Sequence, residues 1–215
     1  MQIQDYIDHT ILKPTATIQD IEQLCLEAKD NEFYAVCVNG CYVSLAKQEL
    51  QNSAVKVAAV IGFPLGAMST TAKVNEALDS VSNGADEIDM VINIGWLKSG
   101  KYELVEEEIT KIKKAIGDTT LKVIIETCFL TEEEKIIATK ATLNARADFV
   151  KTSTGFGTGG ATLNDIKLMK SIVGNNVKIK ASGGIKDKGT ALKYIALGVS
   201  RIGTSSGVTI VSKKQ

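Results

Sequence analysis

Only one histidine, His9, occurs among the 215 residues. Sites that need two, such as the zinc site of an HExxH helix, are excluded. Charge of one sign is not in surplus either, because 25 Lys and Arg balance 25 Asp and Glu. General binding to nucleic acid or to an anionic membrane needs excess positive charge, so neither partner is expected. The four cysteines, Cys25, Cys37, Cys41 and Cys128, make no CxxC pair. In a chain of this size they read as reduced thiols rather than disulfides or metal ligands. No basic start followed by an apolar core opens the sequence, so no secretory signal is expected. The longest apolar run, Val57 to Ile61, is too short to span a bilayer. Proline is scarce at 2 residues, glycine numbers 18, and 44% of the chain is hydrophobic, which excludes disordered and collagen-like classes. The expectation is a cytoplasmic globule with one domain over residues 1–215.

What is present is alternation. Short stretches rich in Val and Ile read as buried parallel strands at Tyr34–Asn39, Val55–Ile61, Glu87–Ile92, Leu121–Glu126, Phe149–Thr152, Val177–Ala181 and Arg201–Gly203. A short first strand, Tyr6–Thr10, precedes them. Between them apolar residues recur at helical spacing, as in Ile18, Ile21, Leu24, Cys25 and Ala28. Thr17 with Asp20, Thr131 with Glu134 and Asp187 with Thr190 are N-cap arrangements. Gly84, Gly117, Gly174 and Gly198 stand where left-handed helix ends are wanted. Eight strand–helix units predict a (β/α)8 barrel of the α/β class, small for its kind. An open doubly wound sheet is the rival that the same alternation allows.

In a barrel, function sits at the C-terminal ends of the strands. Strand alternation points Lys151, in Asp148-Phe-Val-Lys-Thr-Ser-Thr-Gly155, into the barrel. It does the same for Lys180 in the next strand and for Asp89 in the fourth. Strands about 4.8 Å apart would leave the two amines roughly 6 Å apart. At an effective dielectric of about 20 they repel by about 2.8 kcal/mol. That lowers one lysine by about 2 pKa units, which is what a Schiff-base nucleophile needs. An inward carboxylate at Asp89 suits either proton transfer or a structural ion pair. Ser182-Gly183-Gly184 and Gly203-Thr-Ser-Ser-Gly207 offer backbone N–H groups and hydroxyls that cradle phosphate.

Two further patterns need an account. Gly155, Gly157 and Gly160 satisfy GxGxxG. A dinucleotide fold would want an acidic residue at the end of the following strand, and that strand ends Lys-Ala-Ser-Gly-Gly instead. The inward alternation also names Glu87, Lys122 and Lys178, with Arg201, nearer the N-terminal mouth, where they are expected to neutralise one another.

The segments IDHTILKP, GADEIDMVINIG, FVKTSTGFGTGGAT, KIKASGGI and RIGTSSG together resemble the deoxyribose-phosphate aldolase family across nearly the whole chain. The resemblance implies a class I aldolase on a (β/α)8 barrel, with no metal or organic cofactor. It implies reversible cleavage of 2-deoxy-D-ribose 5-phosphate, a small phosphosugar, to D-glyceraldehyde 3-phosphate and acetaldehyde. It places the Schiff-base lysine on Lys151, the second lysine on Lys180 and the proton-relay aspartate on Asp89. It puts Asp8, Thr10, Cys37 and Thr152 near the substrate, and the phosphate turns on Gly183, Gly184, Gly203, Ser205 and Ser206. A homo-oligomer is compatible with the sequence and is not determined by it. Three departures stand out: Gly40 where many relatives have proline, Phe156 where some have a lysine that helps hold phosphate, and a Val-Ser-Lys-Lys-Gln tail without the tyrosine that closes the site in some relatives. A noncatalytic phosphosugar-binding barrel would keep the glycine turns without needing two inward lysines. A pyridoxal-phosphate enzyme could use Lys151 as its imine lysine.

Overall fold

Eight strands emerge from the Val- and Ile-rich stretches in the computed structural model, which describes residues 2–212. They are β1 (Ile7–Thr10), β2 (Ala35–Asn39), β3 (Lys56–Ile61), β4 (Glu87–Val91), β5 (Thr120–Ile124), β6 (Phe149–Lys151), β7 (Lys178–Ser182) and β8 (Arg201–Thr204). Between and after them run α1 (Ile18–Asp30), α2 (Val43–Glu49), α3 (Thr70–Ser82), α4 (Ile94–Lys98), α5 (Tyr102–Ile116), α6 (Glu132–Asn144), α7 (Leu163–Val173), α8 (Lys188–Ala196) and α9 (Gly207–Val211). Residues 213–215, on which the missing-tyrosine comparison falls, lie outside the described residues. Gly40 opens a short 3-10 turn, Gly40–Tyr42, that runs directly into α2.

Local chemistry starts the helices where the spacing predicts. Thr17 and Asp20 close a capping box on α1, and Thr131 with Glu134 closes one on α6. Asp187 accepts from the Thr190 N–H to start α8. The helix ends differ from expectation at two glycines. Gly117 (φ 58°, ψ −121°) and Gly174 (φ 54°, ψ −120°) are not left-handed caps. Each is the first central residue of a type II′ turn, closed by Thr119 N–H to the Ile116 carbonyl and by Asn176 N–H to the Val173 carbonyl. The turn reverses the chain from helix to strand within a few residues.

All neighbouring strands pair in parallel, and β1 pairs with both β2 and β8. The sheet is therefore a closed barrel, and the open doubly wound alternative is excluded. Side chains alternate across it. Val36, Val57, Ile88, Leu121, Val123, Val150, Ile179 and Ile202 point outward into the main core beneath the helices. Each such side chain contributes about 1.5–3 kcal/mol on burial. Inside the barrel, Leu12, Cys37, Ala58 and Val60 form a small apolar cluster. Alternation also turns Val91, Ile124 and Phe149 inward, and among them stand buried charges. Register sets Asp89 beside Lys122 and Lys151 beside Lys180.

Two expected positions are corrected. Glu126 is not the end of β5. Its backbone is left-handed (φ 54°), which breaks the pleat and turns its carboxylate toward Thr154. Lys178 does not join the inner charges. At the first position of β7 it is exposed, its amine 5.6 Å from the centre of the Phe149 ring.

The type II′ geometry at Gly117 is one that an L-side chain adopts at a cost of about 2 kcal/mol. Gly117→Ala is expected to lower the unfolding free energy by about that amount in urea titrations, although no heavy atom lies within 4 Å of the added methyl.

Candidate active site

Four cations and three carboxylates share the barrel interior. Lys151 on β6 and Lys180 on β7 both donate to Asp89 Oδ2 on β4, at 2.7 and 2.8 Å. Lys122 on β5 donates to Asp89 Oδ1 at 2.6 Å and lies 2.6 Å from Glu87. Lys180 also bonds to Asp8 on β1. Arg201 on β8 bridges Asp8 at 2.6 Å and Glu87 at 2.7 Å. The expected neutralisation of Glu87 by Lys122 and Arg201 thus exists, but it continues upward into the site rather than standing apart at the lower mouth.

Four positive charges against three negative ones leave one in surplus. The surroundings select which amine discharges. Burial lowers the Lys151 pKa, and the Lys180 charge lowers it further, while Asp89 opposes both without prevailing. Burial would lower Lys180 too, but Asp8 and Asp89 outweigh it and hold its pKa above the ordinary lysine value. For Lys122 burial is likewise outweighed, by Asp89 with Glu87 and Asp8. Lys151 is therefore the amine that loses its proton most readily, and with it neutral the cluster balances. Repulsion between two bare ammonium groups, as alternation suggests, is not the leading cause, because Asp89 stands between them. Burial pushes the Cys37 thiol up, and the Asp89 charge adds to this, so it stays protonated.

Above Lys151 lies a cavity of about 440 Å³. Thr10, Gly183, Gly184, Gly203, Ser205 and Ser206 line it, as expected. Asp8, Asp89, Lys180, Cys37 and Thr152 lie beneath it, fully buried. The Thr152 hydroxyl donates to the Ser182 carbonyl and accepts from the Ser182 N–H, both at 3.1 Å, so it ties β6 to β7. Gly203 leaves room for the Lys180 stem, whose Cε is 3.0 Å from where a Cβ would stand.

Two cavity cations were not singled out from the sequence. Lys13 follows the end of β1, and Lys186 follows Ser182-Gly-Gly-Ile. Their signal is position: each lies a few residues past a strand end. The GxGxxG glycines also find their reason. A Cβ on Gly157 would stand 2.6 Å from Cys128 Sγ, and one on Gly160 would stand 2.2 Å from the Gly183 carbonyl. The loop must press against both Glu126 and the Gly183 turn. Glu126, fully buried, receives the Thr154 N–H at 3.2 Å and its hydroxyl.

A barrel with a buried lysine whose pKa is lowered by burial, carboxylate and ammonium partners beside it and an open cavity above has the equipment of an imine-forming lyase. Residues 3–212 match the family model described as DeoC/LacD family aldolase. The deoxyribose-phosphate aldolase of Brevibacillus brevis is 55% identical over 99% of this chain and 96% of its own length. That of Clostridium tetani is 52% identical, over 100% of both chains. Among solved structures, the aldolase QR15 matches with a TM-score of 0.94 at 45% identity, over 98% of this chain and 94% of its own. The deoxyribose phosphate aldolase of Aeropyrum pernix, described as a unique tetrameric structure, matches with a TM-score of 0.88 at 31% identity, over 97% and 88%. The chain belongs to the DeoC/LacD family of aldolases.

The buried charges predict an acid transition. Burial alone would raise the Asp8 pKa, but Lys180 and Arg201 outweigh it and hold it below the ordinary value of 3.8. A carboxylate depressed in the folded state contributes stability above its unfolded pKa and loses it as pH falls through the folded one. The unfolding free energy is expected to decline as pH drops below 3.8, and Asp8→Asn should flatten that decline in urea titrations over the acid range.

Proposed function

We propose that the protein cleaves 2-deoxy-D-ribose 5-phosphate reversibly to D-glyceraldehyde 3-phosphate and acetaldehyde, through a Schiff base on Lys151. The carrying observation is the buried Lys151 amine, its pKa lowered by burial, 2.7 Å from Asp89 and beneath a cavity that the Gly183-Gly184 and Ser205-Ser206 turns line. Neutral Lys151 attacks C1 of the open-chain sugar, and loss of water gives an iminium. Removal of the C3 hydroxyl proton, through water held by Asp89 and Lys180, breaks the C2–C3 bond, and the electrons move into the iminium. Glyceraldehyde 3-phosphate leaves. The enamine is protonated at C2 and hydrolysed to acetaldehyde.

The charge count supports this order of events. The iminium restores the surplus positive charge, and bond cleavage to the neutral enamine removes it. The site therefore stabilises the step that discharges it. Backbone N–H groups and hydroxyls of the two turns, with Lys13 and Lys186, suit the phosphate, and their binding energy orients the reacting carbons. A noncatalytic phosphosugar-binding barrel would use the same turns and has no need of the buried cluster. The whole chain acts as one catalytic barrel domain in this reading. Its location is the cytoplasm, because sugar phosphates carry charge that does not cross a bilayer unaided. A homo-oligomer is the assembly this reading includes, on the analogy of the Aeropyrum pernix aldolase.

Borohydride added with acetaldehyde should leave a reduced ethyl group on Lys151, seen by intact mass and peptide mapping. Lys151→Ala should carry none and should lose about 10³-fold or more in kcat. An adduct on Lys180 instead would reverse the two lysine roles. Lys186→Ala should raise KM for deoxyribose 5-phosphate by about tenfold or more, the worth of one hydrogen bond to a charged group. It should leave cleavage of unphosphorylated 2-deoxyribose unchanged.

A further inference from the structure

Phe63 stands in the loop after β3 and Phe156 in the loop after β6. Their rings meet edge to face with centroids 5.3 Å apart, a geometry that the ring quadrupoles favour. In the closed barrel these loops are separated by β4 and β5. The contact therefore runs as a chord across the C-terminal mouth on that side. The cavity over Lys151 is lined from β1, β6, β7, β8 and the loops after them. The ring pair marks the boundary beyond which it does not extend.

Both ends of the chord are held. Phe63 packs against Leu12, Cys37, Ala58 and Val60. The Gly62 N–H donates to Glu76 at 2.8 Å, and the Gly66 N–H closes onto the Gly62 carbonyl at 2.7 Å. On the other side the Phe156 N–H donates to Thr154 Oγ1 at 3.0 Å, and Thr154 is anchored by buried Glu126. Phe156 itself is 50% exposed and lines the cavity. Packing in the core does not explain an apolar ring there; its partner is across the mouth.

We propose that Phe63 and Phe156 are positioning residues that form an aromatic strap along the edge of the cavity above Lys151, keeping bulk water off the Lys151 enamine. The inference rests on the Schiff-base reading above. The enamine has one nucleophilic carbon with two competing fates. Attack on an acceptor carbonyl forms the carbon–carbon bond. Capture of a solvent proton returns the iminium, which water hydrolyses to acetaldehyde and free amine. Excluding water favours the first fate.

The test runs in D₂O with unlabelled acetaldehyde and glyceraldehyde 3-phosphate. It reads the ratio of deuterium in recovered acetaldehyde to aldol product formed. Phe156→Ala and Phe63→Leu should raise that ratio roughly two- to tenfold, the range that one aromatic pair contact supports. Phe156→Tyr, which keeps a ring, should hold the wild-type ratio. Because Phe156 is half exposed, its replacement leaves the core intact and decides the matter if Phe63→Leu folds poorly. An unchanged ratio in Phe156→Ala, with acetaldehyde still trapped on Lys151 by borohydride, overturns the strap and leaves the aldolase reading standing. Failure of trapping in the wild type overturns both.

Discussion

The Asp89 carboxylate holds the interior of this barrel together. One oxygen accepts from Lys122, and the other accepts from Lys151 and Lys180. Three ammonium groups cannot be buried side by side without an anion between them, since the desolvation cost of each is several kcal/mol. Burial would raise the Asp89 pKa, but Lys122, Lys151 and Lys180 outweigh it and keep it ionised well below the ordinary range. The ionised carboxylate in turn makes the lysines tolerable. Each requirement supports the other.

The cluster is unbalanced by one charge, and the imbalance is where stability and function meet. Asp8 and Glu87 assign Lys180, Lys122 and Arg201 to fixed partners. Lys151 has only the already shared Asp89 oxygen. It stands at the top of the cluster, where the cavity begins, with its amine between a crowded anion and space for an aldehyde. Lys180 cannot take the same part while Asp8 and Asp89 both hold it. The distinction between two lysines on adjacent strands, in register with each other, comes from what lies on the far side of each.

Period-two alternation made Lys151, Lys180 and Asp89 legible in the sequence, because a strand pleat leaves little choice of face. The same rule named Glu87, Lys122 and Arg201. It failed for Lys178, since at a strand's first residue the face is open and an ammonium escapes to water. It could not show that Asp8 partners Lys180. That contact joins residues 172 apart and exists only once β1 closes against β8. Glu126 was misplaced because a left-handed backbone leaves no mark in the pattern of apolar residues. The GxGxxG spacing was set aside as a dinucleotide signal, and its real cause, close approach to Cys128 and the Gly183 turn, depends on loops distant in sequence.

The interior charges also explain how the apolar residues are distributed. A barrel of this type ordinarily fills its inside with branched aliphatic side chains. Here much of that space goes to charge, beside the small apolar cluster of Leu12, Cys37, Ala58 and Val60 and inward Val91, Ile124 and Phe149, and replacing ion pairs by packed hydrocarbon is often neutral or stabilising. The stability must then come from outside the strands. There the outward Val, Ile and Leu residues meet the apolar stripes of α1, α3, α5 and α7 in one continuous core. The division lets the inner layer be arranged for proton transfer while the outer layer carries the fold. A substitution in the outer core should therefore shift stability before it shifts the lysine chemistry, because the interior charges are positioned by the backbone register and by one another.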